Sequence, residues 1–163
     1  MSCRETVGGE MPYNVDFELP LEQVQLRRVY SAPAGSLIFP IMGAASLVCA
    51  VRGQPETFFV DLTTYGAFFM DKIVSGGDLG LIWLRPEIKL DLATICPVDD
   101  EPAWSAGDLI TDGKSIAIIA LNPDGKLVRC LLREMEGPFL SRAALFKGWH
   151  LEVEGQRMFS KLP

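Results

Sequence analysis

The stretch 61-DLTTYGAFFMDKIVSGG-77 decides the fold class of this 163-residue chain. Leu62, Tyr65, Phe69 and Ile73 fall at helical spacing, with Asp61 where an N-cap belongs and Gly76 where a helix stops. The internal Gly66 costs such a helix about 1 kcal/mol relative to alanine. Read this way, the segment is a helix inside a chain of short strands, and the class is α+β.

Outward from that segment the period is mostly two. Upstream, 46-SLVCAV-51 and 57-TFFVDL-62 flank the turn-forming RGQPE and read as a hairpin. In 13-YNVDFEL-19, Tyr13, Val15, Phe17 and Leu19 share one face of a half-buried strand. Leu21, Val24 and Val29 approximate a helical face after Pro20, which suits a first turn, while Val24 and Leu26 also fit a strand. Downstream, 79-LGLIWL-84 is a continuous apolar run, as a strand covered on both faces requires. In 87-EIKLDLA-93, Ile88, Leu90 and Leu92 point inward by alternation.

The strongest local signal is 115-SIAIIALNPDGKLVRCLLRE-134. Two apolar arms flank Asn-Pro-Asp-Gly, where proline presets the turn and glycine supplies the positive φ of its exit. Such arms belong in the centre of a sheet. The segment 137-GPFLSRAALFKG-148 carries the start and stop signals of a short helix, and 149-WHLEVEGQRMFSKL-162 reads as a closing hairpin. The sum is a single α+β domain over residues 1–163. It is expected to be a mainly antiparallel bent sheet or partial barrel of about eight short strands with two or three helices.

Composition bounds the chemistry. Residues 1–113 hold 16 acidic and 7 basic side chains, net −9; residues 114–163 hold 5 and 8, net +3. The front of the chain would repel phosphate backbones, so nucleic acid is not an expected partner. Residues 29–51, VYSAPAGSLIFPIMGAASLVCAV, are uncharged, yet Pro33, Gly35, Pro40 and Gly43 punctuate them, and two strands joined by a turn fit better than a membrane span. Cys3, Cys49, Cys96 and Cys130 form no CxxC pair, which points to reduced thiols and a cytoplasmic protein. No metal or cofactor is expected, because the zinc, P-loop, dinucleotide and EF-hand spacings are all missing.

The single histidine, His150, alternates with Trp149, Leu151 and Val153 and shares the outer face with Glu152 and Glu154. That places it in water beside carboxylates, so no catalytic residue is assigned. The segment 97-PVDDEPAWSAGDLITDG-113 is the candidate site instead. It is long for a connection, and it holds five acids and one large aromatic, with no base before Lys114. Asp99, Asp100, Glu101, Asp108 and Asp112 would steer a basic protein partner toward Trp104 as anchor. The expectation is a non-enzymatic acidic binding protein of the immunity, antitoxin or adaptor kind. Two other readings stand beside it: a small-molecule binder with an apolar cavity lined by Phe58, Phe69 and Trp83, and a hydrolase using carboxylates with a divalent metal.

Overall fold

The computed structural model describes residues 24–28, 32–40, 44–50, 57–69, 79–97, 104–133 and 143–163. They form fourteen strands: β1 (Val24–Arg28), β2 (Leu37–Pro40), β3 (Ser46–Ala50), β4 (Thr57–Asp61), β5 (Ala67–Phe69), β6 (Leu79–Trp83), β7 (Glu87–Leu90), β8 (Ile95–Pro97), β9 (Leu109–Thr111), β10 (Ile116–Leu121), β11 (Leu127–Arg133), β12 (Ala144–Phe146), β13 (Trp149–Val153) and β14 (Gln156–Lys161). Eleven make one antiparallel sheet in the order β1-β6-β2-β3-β11-β10-β9-β12-β8, with β4 beside β3 and β5 beside β4. The other three make a small sheet, β14-β13-β7.

The fold is therefore not α+β. Among the described residues the one helical element is a single 3-10 turn, Leu92–Thr94. The expected helix at 61–77 is a chain reversal between β4 and β5. Asp61 does cap, as its position suggests: its Oδ1 accepts from the N–H groups of Thr63 at 2.6 Å and Thr64 at 3.2 Å. However, Tyr65 then turns left-handed at φ +56°, which ends any helix at its first turn. Ala67–Phe69 comes back along β4, with Phe58 opposite Phe69 and Phe59 opposite Phe68. Aromatic residues with helical spacing are equally good strand formers, and the partner strand decides. Residues 70–77 lie outside the described part.

The other two expected helices also meet strand partners. Val24–Arg28 pairs along its whole length with β6. Ala144–Phe146 pairs with both β8 and β9, while 137–142 lie outside the described residues, as do the 13–19 strand and the 52–56 turn. Leu92 is 75% exposed rather than inward, because the chain leaves β7 for the 3-10 turn before reaching it.

The pairing makes a closed circuit. β3 pairs with β4, and Asp61 donates its N–H to the Gly66 carbonyl. Gly66 bridges to Leu121 at the end of β10, and β10 pairs with β11 through the Asn122–Gly125 hairpin, where Gly125 has φ +76°. β11 then returns to β3 through Leu131 opposite Ala50. Alternate side chains of these four strands fill the interior: Leu47, Cys49, Phe58, Val60, Ile118, Ala120, Cys130 and Leu132. The intervening residues form two outer clusters, Val48 and Phe59 with Ile38 and Ile82, and Ala117, Ile119 and Leu131 with Ile110 and Leu145. Both faces are buried, so the arms read as unbroken apolar runs.

The small sheet closes one end. Trp149, Leu151 and Val153 of β13 join the interior cluster, with Ile88, Leu90 and Phe159 packed beside them. Among the described residues no helix is long and apolar enough to cross a membrane.

Candidate functional site: the 97–113 segment and the Lys147–Gly148 turn

The segment singled out by its charge has two limbs. Its first limb holds Asp99, Asp100 and Glu101, which lie outside the described residues. The second, from Trp104 to Asp112, is fixed by its own side chains.

Asp108 is the centre of that limb. It stands immediately before the buried Leu109–Ile110, and it has no solvent exposure at all. An ionised carboxylate so placed must be paired and hydrogen-bonded. Lys147 Nζ pairs with Oδ2, which also accepts the Ser105 N–H at 2.8 Å. Lys161 Nζ reaches Oδ1 at 3.2 Å and the Lys147 carbonyl at 2.6 Å. The two lysine side chains keep 24% and 12% of their surface in water. Thus the β12–β13 turn, the last residue of β14 and the loop before β9 converge on one carboxylate.

Gly107 makes the convergence possible. It has φ +91°, and a Cβ there would sit 2.7 Å from the Tyr65 ring and 2.9 Å from the Lys161 side chain. Its carbonyl accepts the Trp149 indole N–H at 2.8 Å, which ties the small sheet to the same loop. Burial, and then the Asp108 charge, push the Tyr65 hydroxyl above its ordinary pKa. Lys147 and Lys161 were not legible as partners of Asp108. The usable signal was an aspartate abutting a buried strand, which demands cations from elsewhere in the chain.

Trp104 is half-buried on the outer cluster of Ile110, Ala117, Ile119, Leu131 and Leu145. The Arg129 guanidinium lies 5.7 Å from its ring centre, within cation–π range. The Trp104 indole nitrogen is buried and has no hydrogen-bond partner among the described residues. Asp112 closes a turn by accepting the Lys114 N–H at 2.8 Å and the Ser115 N–H at 2.7 Å. Trp104, Asp108 and Asp112 therefore all hold the second limb in place, with Asp108 the point where Lys147 and Lys161 meet.

His150 lies on the outer face of the small sheet, opposite Lys89 on β7 and Ser160 on β14. Its Nε2 is 2.8 Å from Glu152 Oε1, and beside it Lys89 pairs with Glu87 at 2.8 Å. The hydrogen bond and charge of Lys89 lower the Glu87 pKa, and Glu87 in turn raises that of Lys89. Trp149, Leu151 and Val153 are buried on the opposite face, as the alternation requires.

Among the described residues no three His, Cys, Asp or Glu side chains converge as metal ligands would. Phe58 and Trp83 belong to the packed interior, and the Phe69 side chain lies outside the described part. Cys49, Cys96 and Cys130 are free thiols, and Cys3 lies outside the described residues. Burial pushes the Cys49 thiol well above its ordinary pKa and that of Cys130 to about 12. Comparisons of the chain with protein-family models, curated proteins and solved structures give no match.

Proposed function

We propose that this chain is a non-enzymatic binding protein that docks a protein partner with a basic surface through the 97–113 segment. The observation that supports the reading is the bracing of Asp108 by Lys147, Lys161 and the Ser105 N–H. The second limb is a fixed frame, and a fixed frame lowers the ordering cost of presenting its neighbour to a partner. Asp99, Asp100 and Glu101 supply the steering charge, with Pro97 and Trp104 at the two ends of the acidic limb. Asp108, Trp104 and Asp112 act as bracing within this reading, not as contacts.

The test is differential capture. The parent chain and the D99K/D100K/E101K variant are used as baits against host lysate, with thermal unfolding run on both. Proteins retained by the parent and lost from the variant, at unchanged thermal midpoint, support the reading. An identical retained set removes it.

A further inference from the structure

Lys147 and Asp108 face each other across two paired strands. β12 and β9 run antiparallel with Phe146 opposite Leu109, so the next register position sets Lys147 opposite Asp108. The two are 39 residues apart in sequence. Lys147 Nζ lies 2.5 Å from Asp108 Oδ2, the closest ion pair among the described residues.

Both ends of this contact are held. Gly148, next to Lys147, donates its N–H to the Thr94 hydroxyl at 2.9 Å. Gly107, next to Asp108, accepts the Trp149 indole N–H at 2.8 Å. Two reacting groups so held need no encounter, and well-oriented intramolecular partners reach effective concentrations of about 10⁵ M or more.

The surroundings suit acyl chemistry at the Asp108 carboxyl carbon. Asp108 has no solvent exposure, so water is kept from competing for that carbon. Lys161 Nζ sits 3.2 Å from Oδ1, and the Ser105 N–H donates to Oδ2 at 2.8 Å. Those donors are placed to stabilise the negative charge that builds on oxygen as a tetrahedral centre forms. Neutralising a buried pair also removes the cost of holding two charges out of water.

We infer that Asp108 and Lys147 condense to an intramolecular amide, with the ion pair described above as its reactant state. The Lys147 ammonium passes a proton to the carboxylate, and the resulting amine attacks Cγ. The C–N bond forms, one C–O bond breaks, and that oxygen leaves as water with two of the three ammonium protons. No oxidant, reductant or second substrate is consumed. Lys161 keeps its hydrogen bond to the remaining oxygen. The product makes permanent the tie between the loop before β9 and the β12–β13 turn. It concerns the brace and not the partner, so its failure leaves capture through 97–113 standing.

The test is intact-mass spectrometry of the full folded chain, held at neutral pH for a week and sampled daily. A growing fraction should be lighter than the sequence by one water, with the Asp108 and Lys147 peptides joined in a tryptic digest. K147R keeps a cation opposite Asp108, so it should hold full mass at an unchanged thermal midpoint. The parent unfolded in urea should form no joined peptide, because the pair is then apart. A folded parent that stays at full mass overturns the inference, as does a joined peptide that forms equally in urea. Water loss undiminished in K147R overturns it too, because ring closure at Asp112–Gly113 or Asp124–Gly125 lightens the chain by the same amount.

Discussion

Two groups of ion pairs meet β13 and its neighbours, and they do opposite things. Within the fold, Asp108 is completely enclosed and draws two lysines from distant segments onto itself. On the outer face, Glu87, Lys89, His150 and Glu152 pair with their nearest neighbours on open strands. Both groups set carboxylates against nitrogen bases. What differs is that Asp108 has no water to fall back on, so its pairing fixes three elements relative to one another. The outer pairs each join residues two apart on one strand, and Glu87–Lys89 is open to solvent, so they fix little beyond their own strand.

The contrast breaks most visibly at Asp108. Asp108→Ala should cost about 3–5 kcal/mol of unfolding free energy in urea titration, because two half-buried ammonium groups and the Ser105 N–H lose their common partner. The second effect concerns groups that the interior keeps neutral. The Cys130 pKa is raised from 9.0 to about 12 by burial, so the folded state holds its proton more tightly than the unfolded state. Its contribution is intact below pH 9 and is lost progressively as pH rises toward about 12. Cys130→Ala should flatten the alkaline slope of stability across that window, measured by unfolding midpoints at successive pH values. Gly107→Ala comes third. Its positive φ and the Tyr65 ring 2.7 Å from the new Cβ make about 1–3 kcal/mol of destabilisation the expected result in the same titration. Smallest is Glu152→Gln, which should move the midpoint by less than about 0.5 kcal/mol in free energy.

The hairpins were legible in the sequence, and the segments expected to be helices were not legible as strands, for one physical reason. In 115–134 the turn residues and both arms carry the same message, and the β10–β11 hairpin forms where they say. At 61–77 the local signals conflict. Asp61 caps, but Tyr65 and Gly66 reverse the chain, and Ala67–Phe69 pairs back onto β4, the strand just before the turn. Spacing alone cannot report such a partner. The alternation in 149–153 was readable because a half-buried strand encodes its two faces locally. The candidate site divides the same way. The acidity of 97–113 is plain in the sequence, whereas the lysines that enclose Asp108 come from 39 and 53 residues away. Leu92 was misjudged because alternation was carried one step past the end of β7.

The central claim is that Asp108 and its lysines join the two sheets while the outer pairs do not. Two double-mutant cycles in urea test it side by side. Asp108→Ala with Lys161→Met should show a coupling of at least about 1 kcal/mol, and His150→Ala with Glu152→Ala a coupling within about 0.5 kcal/mol of zero. A first cycle as small as the second, or a second as large as the first, would contradict the account.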